Sequence, residues 1–306
     1  MGVGNRIEIK TCLLIIDLQN DFCSPGAPLF VRGRTGSAAM DDGNRTARFI
    51  RNNVNGIDQI FITLDSHMPM QIFHPCFWVD AQGNHPPPFT AITVEDVFSR
   101  RWMPNRACSD RLHTFGDYEE LEQYCLHYVR TLRANGRDPL EIWPYHCLFG
   151  SSGHALVRIV EDAVYFHAME RNSNPIFVEK GFVPYTENYS VFEPEVGVHH
   201  DGELLVEQDL RFMDHLKKYD RVVVAGEAKS HCVRRSIESI VRRWRPEDLG
   251  RIYVLEDCMS SVVIADVADF TDEANEAFQK FAEAGIRLVK STDDMASWPP
   301  PPVRAS

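Results

Sequence analysis

The sequence predicts an α/β protein with a doubly wound, three-layer α/β/α fold around a mostly parallel sheet. Three observations predict it. Short apolar runs of strand length alternate with segments of helical periodicity along most of the chain. Alternating strand and helix units imply a parallel sheet with helices on both faces. The length of 306 residues, with 44% hydrophobic and 25% charged residues, suits an ordinary globular protein with one large core.

Residues 12–17 read as the first strand, 41–53 as a polar-faced helix and 58–64 as the second strand. Residues 152–166 read as helix and 175–179 as strand; 203–218 as helix and 221–225 as strand. A tight turn over 226–231 follows, and then Ser236, Ile237, Ile240, Val241 and Trp244 recur at helical spacing. Strands over 251–255 and 286–289 flank a helix over 266–284 that Gly285 stops. The stretch from His74 to about 140 breaks this rhythm, with His-Pro-Cys-Phe-Trp, a Pro86-Pro87-Pro88 run and a helix over 117–135. It is expected to be an insertion at about 74–140 packed over the sheet of one domain spanning 1–297. Residues 298–306, with four consecutive prolines, are expected to be an extended or disordered tail. There is no internal repeat.

The net charge of −12 and the lack of a Lys/Arg patch exclude a nucleic-acid surface. No apolar span reaches 18 residues, so no membrane helix is expected, and the first ten residues lack a signal core. The eight cysteines include no CxxC pair and read as reduced thiols in a cytoplasm. Gly2-Val-Gly4 precedes the first strand, where a dinucleotide fingerprint would follow it.

Sites in open parallel sheets form beyond the carboxyl ends of the strands. The first strand ends at Asp17, placed either for catalysis or to cap the next element. The second ends in Asp65-Ser66-His67. Residues two apart on an extended segment share a side, and a carboxylate with an imidazole suits zinc, iron or manganese. Two ligands are too few, and His74, His85 and His146 are the candidates for a third. The third strand ends at Lys180, whose charge needs a partner if it is buried and which otherwise snorkels to solvent. Cys232 lies at the first turn of the helix after residues 221–225. A helix N-terminus lowers a thiol pKa and offers N–H donors to an oxyanion; a small buried hydrophobe is the alternative.

In these pieces the chain resembles the isochorismatase-like cysteine hydrolases, and among them the nicotinamidase-related branch. The matching segments are LLIIDLQNDFCSPGAPLFV (13–31), TLDSH (63–67), WPYHCLFGSSG (143–153), VEKGFVPYTENYSVFE (178–193) and VVVAGEAKSHCV (222–233). The resemblance implies a catalytic triad of Asp17, Lys180 and Cys232, and a divalent metal, zinc above iron or manganese, on Asp65, His67 and His146. It also implies a cis peptide at Glu227–Ala228, an oxyanion site from the N–H groups of Ala228 and Cys232, and a substrate ring held between Phe22 and Trp143.

The implied activity is hydrolysis of a small aromatic or heterocyclic carboxamide to the acid and ammonia through a thioester. The alternatives are a metal-free carbamoyl or ureido amidohydrolase and a catalytically silent binding protein on the same fold. A cysteine nucleophile disfavours vinyl-ether cleavage. The partner expected is a small-molecule amide; self-association, common among such proteins, stays open. Ser66 stands where the branch has tryptophan, Glu227 where an aliphatic residue precedes the cis bond, and Lys229 where a small polar residue is usual. Glu227 is accordingly a candidate substrate-binding residue, facing a donor-bearing substrate or pairing with Lys229.

Overall fold

The computed structural model describes residues 9–112, 115–206, 208 and 210–303. Six strands form the main sheet: β1 (Thr11–Ile16), β2 (Gln59–Asp65), β3 (Ile176–Lys180), β4 (Arg221–Gly226), β5 (Ile252–Leu255) and β6 (Arg287–Val289). Their order is β6-β5-β4-β1-β2-β3, and all five pairings are parallel. β1 and β4 are buried throughout, which is why their apolar runs show no polar alternation.

Successive strand residues face opposite sides, and the two faces carry separate cores. Leu13, Ile15, Ile60, Ile62 and Val223 belong to one; Cys12, Leu14, Phe61, Val222 and Val224 belong to the other. Helices α1 (Ala38–Asn52), α2 (Tyr118–Ala134) and α3 (Arg158–Arg171) pack into the first core. Helices α4 (Leu210–Leu216), α5 (Arg234–Arg243) and α6 (Thr271–Glu283) pack into the second. This is the three-layer arrangement expected. Residues between 74 and 140 contribute α2, shorter helices and two two-stranded pieces, Trp78–Val79 with Met103–Pro104 and Ala91–Ile92 with Leu140–Glu141.

Three expected helices begin later than their sequence pattern. The helix expected from 152 starts at Arg158, because backbone carbonyls just before it are engaged elsewhere. Those of Ser152, Gly153, His154 and Ala155 accept from the Asn20 side chain, the Asp21 N–H, the Gln19 side chain and the Asn20 N–H. The helix expected from 203 starts at Leu210, since Leu204 bridges to Val198 and the Leu205 N–H donates to Gly197. The one expected from 266 starts at Thr271, after a hairpin of Val263–Ile264 with Ala268–Asp269. The tail also differs from expectation near its start. Trp298 is buried, stacked on Phe49 and Tyr253, and the Pro299 carbonyl accepts from Tyr253 and Arg287. An aromatic side chain with two ring partners anchors what composition alone reads as free chain.

The chain proceeds β1, β2, β3 to one side and then crosses to β4 on the other side of β1. The crevice at this reversal lies beyond the carboxyl ends of β1 and β4. Gly226, the last residue of β4, has φ 134° there, and a Cβ on it would sit 2.0 Å from the Ile16 carbonyl oxygen. Gly226→Ala is therefore expected to destabilise the protein by about 3 kcal/mol or more, read from urea unfolding midpoints. An unchanged midpoint would show that β1 and β4 separate without cost.

Candidate active site and metal centre

β2 and β3 pair Asp65 with Lys180, and β1 and β4 pair Ile16 with Gly226, so four strand ends are level at the crevice. Asp17 leaves β1 with φ 48°. Its Oδ1 accepts from the Thr63 hydroxyl and its Oδ2 lies 3.0 Å from Lys180 Nζ. Lys180 Nζ also meets Asp65 Oδ1 at 2.8 Å, the Asn188 carbonyl at 2.9 Å and Cys232 Sγ at 3.5 Å. All four side chains are buried. Of the two readings for Lys180, the structure has the buried, paired one.

Burial pushes the Asp17 carboxyl above its ordinary range, and Asp65 adds to this; Lys180 works in the other direction. Burial opposes the charge on Lys180, but Asp17, Asp65 and Cys232 outweigh it and hold the ammonium protonated. The Cys232 thiol is pushed well up by burial, with Lys180 opposing, and it is hydrogen-bonded to Asp17. The expectation of a thiol lowered by a helix N-terminus is thus not met in this arrangement. Cys232 sits in a π-helical turn, Lys229–Val233, ahead of α5, and desolvation dominates. A thiol held protonated against a raised carboxylate is a proton donor facing its base.

Beside this cluster, ligand atoms of Asp65, His67 and His146 lie within 4.8 Å of one another. His67 Nε2 is 3.0 Å and His146 Nε2 3.8 Å from Asp65 Oδ2. The other ring nitrogens fix the tautomers. His67 Nδ1 faces the Gly181 carbonyl at 3.3 Å and His146 Nδ1 the Pro144 carbonyl at 2.8 Å. A carbonyl can only accept, so each Nδ1 carries a proton; each Nε2 is turned toward the carboxylate, and the Asp65 charge raises His67 against its burial, which favours a proton on Nε2 as well when no cation stands between them. Two imidazole nitrogens and a carboxylate oxygen converging in a buried site fit a divalent cation, which would displace any proton on Nε2, and a carbonyl on the far nitrogen is the usual support for a metal-binding imidazole.

His74 repeats the pattern. Its Nδ1 faces the Met68 and Pro69 carbonyls, its Nε2 is buried without a hydrogen-bond partner among the described residues, and its ring lies 5.9 Å from His67 and 5.8 Å from His146. His85 is exposed and bonds the Trp78 carbonyl. Gly181, at φ 89°, closes the cradle: a Cβ there would lie 2.7 Å from the His67 ring and 3.0 Å from Asp65.

Cys232 opens on a narrow cavity whose walls include Phe22, Leu29, Trp143, Tyr189, Glu187 and His231, with Asp65 and His146 at its inner end. Phe22 meets His146 edge-on at 5.5 Å, and Trp143 Nε1 donates to the Tyr189 hydroxyl at 3.0 Å. Ala228 lines the same cavity, and the peptide before it, Glu227–Ala228, is cis.

Neither a protein-family model nor a curated protein matches the sequence. Solved structures are similar to it. A nicotinamidase and pyrazinamidase from Acinetobacter baumanii matches over 93% of this chain and 97% of its own, at 18% identity and a TM-score of 0.55. Yeast nicotinamidase bound to the inhibitor nicotinaldehyde matches over 92% and 99%, at 18% identity and a TM-score of 0.57. A pyrazinamidase/nicotinamidase from Streptococcus mutans matches over 92% and 100%, at 16% identity and a TM-score of 0.51. The fold is that of the nicotinamidases.

On the nicotinamidase fold of this chain, two expected pocket neighbours lie elsewhere. Glu227 is fully buried, but it is not part of the cavity wall. Its carboxyl accepts from the Ser260 N–H at 3.2 Å and lies against Asp42, which itself holds Arg45 and the Ser260 hydroxyl. Burial first, and then Asp42, push Glu227 well above the carboxylate range, which favours its protonated form hydrogen-bonded to its neighbour. Lys229 does not pair with it: its ammonium donates to Asn275 at 2.7 Å and lies over the Phe278 ring. Sequence cannot tell which way a turn side chain points, and here the turn sends both away from the cavity. The polar cavity-lining residues that sequence reasoning passed over are Tyr189, His231 and Glu187, beside the apolar Leu29, Val31 and Val262. Glu187 is a buried carboxyl raised to about 7 by burial and by Asp65. Tyr189 and Glu187 lie inside the segment 178–193, and His231 adjoins Cys232; their signal was proximity to the motif residues.

Proposed function

We propose that the chain is a metal-supported cysteine amidohydrolase of the nicotinamidase type, which converts a small aromatic or heterocyclic carboxamide to its acid and ammonia. The observation that carries this reading is the meeting of Asp17, Lys180 and Cys232, which end or follow three strands, in one buried cluster whose Cys232 lines the cavity. Asp17 takes the thiol proton, and Lys180 balances the charge on both groups. The thiolate attacks the amide carbonyl, and the N–H groups of Ala228 and Cys232 stabilise the oxyanion. Protonated Asp17 returns its proton to the departing ammonia, and water cleaves the thioester. Phe22 and Trp143 hold the substrate ring. Asp65, His67 and His146 would hold the divalent ion, with His74 the adjoining imidazole, and a bound zinc, iron or manganese ion supplies Lewis-acid polarisation of a substrate atom.

The test is ammonia release from nicotinamide, related aromatic amides and small aliphatic amides, with and without a chelator. Turnover of aromatic amides is expected, falling at least about tenfold on metal removal and returning with added zinc, iron or manganese. Turnover of ureido compounds, unmoved by the chelator, would instead establish the metal-free reading.

A further inference from the structure

Helix α2 lies in the segment between 74 and 140, outside the strand-helix rhythm, yet it reaches the catalytic centre. Tyr124 and Tyr128, one helical turn apart, are fully buried. The Tyr124 hydroxyl donates to the Tyr185 carbonyl at 2.9 Å, and the Tyr128 hydroxyl accepts from the Glu187 N–H at 3.1 Å. Tyr128 is also hydrogen-bonded to the Thr186 side chain. Residues 185–188 form no helix or strand; the Tyr128 hydroxyl holds the Glu187 amide next to Asn188, whereas the Tyr124 hydroxyl holds the carbonyl of Tyr185, three residues before Asn188. Asn188 presents the carbonyl that holds Lys180 Nζ at 2.9 Å, and the Glu187 carboxyl walls the cavity.

We infer that Tyr128 is a positioning residue of the catalytic centre: by holding the Glu187 amide it fixes the turn whose Asn188 carbonyl aims Lys180 and whose Glu187 side chain bounds the substrate cavity. This rests on the proposed role of Lys180. Among the described residues Lys180 has four partners, and three of them, Asp17, Asp65 and Cys232, are groups of the site itself. The Asn188 carbonyl is the partner that belongs to the surrounding scaffold, so it sets where the ammonium stands relative to Sγ and Asp17. Displacements of about 1 Å in such a constellation cost on the order of a hundredfold in rate. Through α2, the segment that interrupts the sheet rhythm becomes the outer support of the site.

The experiment compares Tyr128→Phe with Tyr124→Phe in the full chain. Each removes one buried hydroxyl from the same helix and keeps the ring, so both are expected to fold and to lower the unfolding midpoint alike. Tyr128→Phe alone is expected to lower kcat, by about tenfold or more, with KM moving much less. It alone is also expected to slow iodoacetamide alkylation of Cys232, followed by peptide mass spectrometry, because Lys180 then stands less well beside Sγ. Equal effects of the two variants on kcat and alkylation would reduce α2 to a structural role and overturn the inference, as would wild-type kcat in Tyr128→Phe. If no amide is turned over but the alkylation rates still separate, the amidase reading fails and the positioning role of Tyr128 stands.

Discussion

Cys232→Ala is expected to remove amide turnover, by at least about a thousandfold, while leaving the fold intact. The side chain lost is small, and although it belongs to the second core it also lines the cavity, so the structural cost is that of one thiol. The chemical cost is the whole covalent route. Asp17 alone is a poor substitute, because it is raised by burial and held by Lys180 and Thr63. The check is ammonia release by the purified variant at matched protein concentration, with its circular dichroism spectrum compared with that of the parent. Full turnover in a folded Cys232→Ala protein would end the thioester reading. On the proposed metal site the variant keeps Asp65, His67 and His146, so added zinc should still bind although Asp65 also groups with Asp17 and Cys232, and zinc uptake distinguishes a lost nucleophile from a collapsed site.

The parts of the site legible in the sequence share one property. Asp17, Asp65, Lys180 and Cys232 each end or follow a short strand, and a parallel sheet brings such ends level; the strand of Lys180 is not the buried one expected but an exposed edge strand on which Lys180 alone is buried. Strand pattern plus residue type was enough to find them. The illegible parts depend on where a side chain turns or on what a distant segment contacts. Glu227 is adjacent to the cis bond but faces Asp42, a residue of α1 far away in sequence. From the residues alone His74 was one of three candidate imidazoles, and the resemblance chose His146; the contacts of the His74 Nδ1 with two carbonyls and the burial of its Nε2 bring it back beside the site. The late start of α3 came from Gln19, Asn20 and Asp21, which claim carbonyls between 152 and 155. Helical periodicity over those residues is real, but tertiary hydrogen bonds from β1's outgoing turn overrode it.

Lys180→Ala is expected to harm both stability and catalysis, and in a pH-dependent way. Lys180 is ion-paired to Asp17 at 3.0 Å and to Asp65 at 2.8 Å, with all three side chains buried. Removing one partner from a buried ion pair leaves an uncompensated charge and costs about 3–5 kcal/mol. A domain of this size tolerates that loss, so the variant is expected to fold with a lower urea midpoint. Burial already raises Asp17, and Lys180 is the first force opposing that rise. Without it the carboxyl goes higher still, keeps its proton near neutrality and cannot accept the one from Cys232; kcat is expected to fall at least about a hundredfold. The sign of the stability effect follows. An acid whose folded pKa is raised above its unfolded value favours folding most when protonated, and that contribution is lost as pH rises through the folded pKa. The gap in unfolding free energy between Lys180→Ala and the parent should therefore be smaller at about pH 5 than at about pH 8. A gap that widens toward low pH would mean that Asp17 is not the group left exposed by the missing ammonium. Arginine at this position is not expected to rescue activity, because a planar fork cannot reproduce a point charge that meets two carboxylates, a carbonyl and a sulfur together.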